Sequence, residues 1–121
     1  MPSFDDGRTV VYGTMGGEGQ PQTQAAILSR AILSGQDIGE AIDAPRWLLG
    51  RTWGDETTAL RLENRFDSDL VRDLERVGHR VVVMDEAYSD TMGHARMIVR
   101  DAAGSLLEAH DLRADGGAAV G

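Results

Sequence analysis

The stretch Gly13-Thr14-Met15-Gly16-Gly17-Glu18-Gly19-Gln20-Pro21-Gln22-Thr23-Gln24 packs four glycines into seven residues and then runs into an apolar segment. Glycine reaches backbone conformations closed to other residues and, with no Cβ, lets the main chain approach a bound group closely. Pro21 suits the first turn of a helix, where its missing N–H costs nothing. The stretch therefore reads as strand, glycine-rich turn and helix start. Free N–H groups there, with the positive end of the helix dipole, favour an anion or a developing oxyanion. Two readings stand side by side: a turn without chemistry, and a backbone cradle for negative charge.

A phosphate suits the cradle poorly. The loop lacks the Lys-Ser/Thr ending of a P-loop and the spacing of the dinucleotide fingerprint, and Glu18 would repel such a ligand. One oxyanion held by the N–H groups of Gly16 and Gly17 fits better and implies acyl transfer. That chemistry needs a nucleophile, yet the chain has no cysteine, and Thr9 and Thr14 are internal. His79, His94 and His110 are well separated, with no metal-binding spacing, so neither metal nor cofactor is expected. Asp85-Glu86 and Asp90 read as a solvated acidic loop. Loss of Met1 would expose Pro2 as a secondary amine able to abstract protons at a matched pKa, but nothing else in the sequence supports that chemistry.

The whole chain bounds these readings. Its 121 residues suggest one domain, 1–121, and 41% hydrophobic with 26% charged residues is ordinary globular composition. A net charge of −8 leaves no basic stripe for nucleic acid. All twelve basic residues are Arg, which reads as coding bias. No apolar run is long enough to span a membrane and no leader is visible, so the chain as written reads as cytoplasmic. The absence of cysteine excludes disulfides and leaves the redox compartment open.

The elements that must position the loop follow from local pattern. Arg8 to Tyr12 reads as a strand ending at Gly13. From Pro21, Ala25, Leu28 and Ile32, with Ile27 and Ala31 beside them, keep a helical period up to Gly35. Asp37 caps a short helix, with Glu40 at the capping-box position, and Pro45 ends it. Residues 46–58 read as irregular, with Trp47 and Trp53 packed beneath and Arg46 tied structurally to a carboxylate. Ala59 to Glu63 alternates as a strand would. Asp67 caps the clearest helix, with Leu70, Val71, Leu74 and Val77 on one face, Phe66 as a staple to Val71, and Gly78 as its stop. Arg80 to Met84 reads as a buried strand, and Tyr88 to His94 as a polar loop. Ala95–Arg100 and Ser105–Ala109 read as a hairpin, and the tail from Asp111 has no periodicity. The order is β, α, α, β, α, β, β, β, an α+β pattern.

These residues resemble the γ-glutamyltransferase (γ-glutamyltranspeptidase) family, in the C-terminal part of its small subunit. The resemblance is carried by Gly13 to Gln24, by Glu40-Ala41-Ile42-Asp43-Ala44-Pro45-Arg46-Trp47, and by Leu62-Glu63 through Phe66. Gly78-His79 to Val83, Gly93-His94-Ala95 and Asp111-Leu112-Arg113-Ala114-Asp115-Gly116-Gly117-Ala118-Ala119 continue it over nearly the whole chain. Leu112 stands where the family tail usually has Pro.

The resemblance implies part of an N-terminal-nucleophile (Ntn) hydrolase αββα sandwich, a mainly antiparallel sheet with packed helices and an apolar face left open. It also implies transfer or hydrolysis of the γ-glutamyl group of a glutathione-like small molecule. In the family an N-terminal Thr, freed by self-cleavage, attacks the amide, and its own α-amine serves as base. Gly16 and Gly17 match the oxyanion-hole pair, Thr14 and Met15 flank the substrate on the same loop, and Gly93-His94 belongs to a motif fixing backbone near the site. The family's Thr, and a Ser-Ser pair that holds the substrate α-carboxylate, lie upstream of the position of Met1. The large subunit holds a substrate-binding Arg. The implied partners are therefore the rest of the small subunit and the large subunit, or a second copy when the chain is alone. The chain by itself is expected to be inactive. The alternative is a dimeric remnant that binds small carboxylates or is purely structural. The resemblance leaves the periplasm and the cell exterior open as compartments.

Overall fold

The computed structural model describes residues 4–52, 54 and 56–114; the expectations placed on Pro2, Trp53 and the tail beyond Ala114 lie outside these. In chain order the strands and helices are β1 (Thr9–Met15), α1 (Gln20–Leu28), α2 (Ile38–Asp43), β2 (Trp47–Leu49), β3 (Leu60–Leu62), α3 (Ser68–Arg76), β4 (Val81–Val83), β5 (His94–Arg100) and β6 (Leu106–His110). They form two three-stranded sheets, ordered β1-β5-β6 and β2-β3-β4. All pairings are antiparallel except β3 with β4, which α3 joins as a crossover between parallel strands.

Local rules explain most boundaries. Asp37 accepts the amides of Gly39 and Glu40 at 2.9 and 3.2 Å, which caps α2. Asp67 accepts the amide of Asp69 at 2.7 Å and starts α3. Pro45 ends α2, and Gly35, at φ +66°, lies in the left-handed region just past the helical segment that begins with α1. The hairpin expected from Ala95–Arg100 and Ser105–Ala109 forms as β5 and β6, with Arg100 opposite Leu106.

Three expectations change. β1 runs on through Gly13 to Met15, because β5 pairs with it along its full length, Gly13 opposite Arg96 and Met15 opposite His94. The segment read as irregular contains β2, which pairing to β3 creates. The Val81-Val82-Val83 run sits at a sheet edge, and Val82 and Val83 are exposed.

Alternation along β1 and β5 gives the first sheet two unlike faces. The inner face puts Val10, Ala95, Met97 and Ala109 against Ile27 and Ala31 of the α1 segment and Ile38, Ala41 and Ile42 of α2. The buried stripe is thus Thr23 and Ile27 of α1 and Ala31 in the turn that continues it, while Leu28 and Ile32 border an open apolar cleft with Phe4, Val10 and Tyr12. The outer face leaves Val11, Met15, Ile98 and Leu106 exposed. On the second sheet Leu70 and Leu74 of α3 stand over Trp47, Leu49, Leu60 and Leu62 across a cleft that Phe66 and His79 help line. No helix among the described residues is long and apolar enough to cross a membrane.

The two faces give a direct test. Met97 is 1% exposed and its neighbour Ile98 is 37% exposed. Met97→Ala is expected to cost about 2–5 kcal/mol, and Ile98→Ala about 1 kcal/mol or less, in urea unfolding of the chain. Equal costs would contradict the assignment of inner and outer faces.

Candidate active site

The glycine loop leaves β1 at Met15 and passes through a 3-10 turn, Gly17–Gly19, straight into α1. Gly17 adopts φ +55°, which only glycine holds without strain. Gly19 is held against β2, where a Cβ would come within 2.9 Å of Leu48. Among the described residues the amides of Gly16 and Gly17 donate no hydrogen bond, whereas the Gly19 amide donates to the Gly16 carbonyl at 3.1 Å. The loop thus presents two N–H groups without acceptors among the described residues, at the positive end of a helical segment.

The run Gln22-Thr23-Gln24 fastens this helix start on three sides. The Gln22 amide donates to the Leu49 carbonyl at 2.9 Å and accepts the Leu49 N–H at 2.8 Å, so it acts as one more rung on β2. Buried Thr23 donates to the Met92 carbonyl at 3.2 Å. Gln24 donates to the Thr14 hydroxyl at 3.4 Å. Sequence reasoning assigned none of these roles, because each partner is remote along the chain.

Gly93 supports the loop from behind. It adopts φ +78°, and a Cβ there would lie 2.6 Å from the Met15 carbonyl oxygen. A Cβ on Gly16 would in turn lie 3.1 Å from the Gly93 Cα. The two backbones therefore pack closely enough to exclude a Cβ at Gly93 and to force a shift if one were added at Gly16.

Gly93 is itself held by a knot of buried charges. Arg46, Glu63, Asp111 and Arg113 are all buried. Arg46 pairs with Asp111 at 2.6 Å and donates to the carbonyls of Gly93 at 2.8 Å and Ile42 at 3.0 Å. Arg113 donates to Asp111 at 2.9 Å and takes Glu63 through two nitrogens. Glu63 also accepts the amides of Arg46 and Ser89, both at 2.9 Å, and Asp111 accepts the amide of Ala95 at 2.8 Å. This supplies the carboxylate partner expected for Arg46.

Burial, reinforced by the Arg113 cation, lowers Arg46 to about 10, so it remains charged at neutral pH. Burial opposes ionisation of Asp111 as well, but Arg46, Arg113 and two backbone amides outweigh it and hold the carboxyl below its usual range. Burial likewise works against the Arg113 cation, and the bonds from Glu63 and Asp111 reverse that and raise it.

Gly13, Thr14, Met15, His94, Arg96 and Ala114 line an open groove of about 640 Å³ whose lining stops at Met15 and does not include Gly16 or Gly17. It brings Thr14 and Met15 together with His94, whose Nε2 contacts Asp90. Of the other two histidines, His79 borders the cleft under α3, whereas His110 on β6 lies opposite the groove residue Arg96. Asp85 and Glu86 are exposed loop residues away from the groove.

The gamma-glutamyltranspeptidase family model matches residues 3–121. The chain is 51% identical over 116 residues to the oxamate amidohydrolase proenzyme of Klebsiella pneumoniae, which covers 96% of this chain and 22% of that one. It is 47% identical over 112 residues to the glutathione hydrolase-like YwrD proenzyme of Bacillus subtilis, covering 93% of this chain and 21% of that one. It therefore spans about a fifth of the length of these relatives. Among solved structures, cephalosporin acylase from Bacillus halodurans matches with a TM-score of 0.76 at 30% identity, over 88% of this chain and 19% of that one. The architecture is accordingly α+β and of the Ntn-hydrolase type, with mainly antiparallel sheets and packed helices.

Asp111→Asn is expected to cost about 3–5 kcal/mol, since it leaves two buried guanidinium groups short of charge. The readout is a lower urea midpoint at unchanged slope. The folded-state value of Asp111 lies below its ordinary 3.8. Its contribution is thus complete above about pH 4 and is lost as pH falls through the lower folded value. Stability of the variant should decline less steeply on acidification, and identical acid limbs would count against this role.

Proposed function

The chain belongs to the gamma-glutamyltranspeptidase family, and on that premise we propose that it is the C-terminal part of an N-terminal-nucleophile amidohydrolase and supplies its oxyanion hole. The observation that carries this reading is the pair of amides on Gly16 and Gly17 that meet no acceptor among the described residues, held from behind by Gly93. A Thr hydroxyl, provided by polypeptide upstream of Met1, attacks the carbonyl carbon of the amide. The new oxyanion accepts hydrogen bonds from the two glycine amides. The α-amine of that Thr takes the hydroxyl proton and passes it to the departing amine, leaving an acyl-enzyme that water or an amino acid then cleaves. Thr14 and Met15 form the wall along which the substrate lies.

The names of the two relatives point to small amides that also carry a carboxylate, oxamate and glutathione. We assign this chain a substrate of that class. The exposed Val11, Met15, Ile98 and Leu106 on the outer face suit cover by the remaining polypeptide of the precursor, or by a second copy when the 121-residue chain is alone.

Intact-mass and N-terminal analysis of the native polypeptide tests the premise of an upstream nucleophile. The expected species begins at Thr and contains these residues at its far end. A native chain with no such Thr would overturn turnover by this route and leave only binding of small carboxylates or a structural role. Gly16→Ala in the processed enzyme keeps the N–H but brings a Cβ to 3.1 Å from the Gly93 Cα, so the loop must shift, and kcat is expected to fall by up to about 10²-fold with a smaller change in KM. An unaltered kcat would show that the placing of this amide does not limit the reaction.

A further inference from the structure

We propose that the polypeptide leading into Phe4 runs antiparallel to β1 as a further strand of the first sheet, and that its inward side chains fill the apolar cleft between β1 and the helical segment that begins with α1. The proposal rests on the reading above that polypeptide precedes Met1. Two independent observations carry it: a hairpin turn just before β1, and an open cleft at the edge that the other strand of that hairpin would take.

The turn is specific in its bonding. The Gly7 amide donates to the Phe4 carbonyl and the Phe4 amide donates to the Arg8 carbonyl, both at 2.9 Å. Gly7 adopts φ +79°. A tight turn closed by a left-handed glycine is a common three-residue connection between two antiparallel strands. Asp6 secures it, accepting the Arg8 amide at 3.1 Å and pairing with the Arg8 Nε at 2.6 Å. The second strand of the hairpin is β1, which starts at Thr9. Phe4 ends the first, and its bond to Arg8 sets the register. Continued upstream, that register puts Ser3 opposite Thr9 and Met1 opposite Val11, in residues that lie outside the described ones.

The receiving edge is present and apolar. The first sheet is ordered β1-β5-β6, so β1 offers a row of backbone donors and acceptors along one side. At that side a cleft of about 370 Å³ opens between Val10 and Tyr12 of β1 and Leu28, Ile32 and Leu33 of the helical segment. Leu33 is 82% exposed in the 121-residue chain. Phe4 already lines the cleft, and strand alternation sends every second residue upstream of it to the same face. Pro2 falls at the next such position and is apolar; lacking an N–H, it gives up one rung opposite Val10. An added strand would thus close the core on this side and brace β1, from whose far end Gly16 and Gly17 project.

The test uses the full-length native polypeptide, with any other cysteine replaced. Met1→Cys paired with Val11→Cys occupies a non-hydrogen-bonded pair, whose spacing suits a disulfide. Mild oxidation is expected to bridge it. Met1→Cys paired with Ile98→Cys, one strand further off on β5, is expected to stay reduced. Hydrogen exchange in the unsubstituted polypeptide should be slowed at least about 100-fold at consecutive amides from Val10 to Thr14. No Met1–Val11 bridge, or fast exchange at every second amide of β1, would overturn the strand. Slow exchange without the bridge assigns the edge to a second copy or another segment and overturns it as well. A native polypeptide that begins at Met1 is recognised by its intact mass and removes the premise, whereas a missing bridge in a longer polypeptide removes the strand alone. Neither readout depends on turnover.

Discussion

The alternating charges Arg46, Asp111, Arg113 and Glu63 lie in the interior, where an isolated ion costs several kcal/mol, so each depends on the presence of the others. Most of their other hydrogen bonds go to backbone, while the buried Arg46 Nε meets no partner among the described residues. Arg46 and Arg113 take carbonyls at the end of α2, Glu63 takes the amides that open β2 and the loop before β5, and Asp111 takes the amide of Ala95. Segments with no covalent reason to be neighbours are thereby joined at one point. A buried network of this kind contributes little net stability compared with apolar packing, but it admits one arrangement of its partners.

That single arrangement reaches the glycine loop through Gly93. Arg46 holds the Gly93 carbonyl, Thr23 holds the preceding Met92 carbonyl, and the Cα of Gly93 rests on Gly16. A hydrogen-bond donor that is to meet a developing charge must already be in place, because reorganising it during reaction costs what it later returns. The flexible residue type therefore sits in a rigid setting. Gly16, Gly17 and Gly93 are glycines because backbone must pack on backbone, or turn left-handed, where a side chain would intervene.

The first sheet divides its labour between its faces. The inner face is closed by α1 and α2 and holds the core. The outer face is open, part apolar and part cationic, with Ile98 and Leu106 near Arg96 and Arg100 on a chain whose net charge is −8. A patch that combines apolar exposure with local positive charge is suited to contact, and its end nearest the glycine loop forms the groove.

Much of this was legible in the amino acids alone. The strand-turn-helix setting of the glycine loop, the Asp37 and Asp67 caps, the stop at Pro45 and the hairpin all follow from rules acting within a few residues. So does the position of the loop itself, since glycine content and a following Pro are local signals. Tertiary structure decided the rest. β2 exists because β3 and Gln22 offer it partners, and Val82 and Val83 are exposed because no described element covers them, which an apolar run cannot announce. The partners of Arg46 and the approach of Gly93 to Gly16 join residues far apart in the chain. Local pattern records which residues can bend, cap or pair, whereas the cost of burying charge and the exclusion of one backbone by another are settled only when distant segments meet.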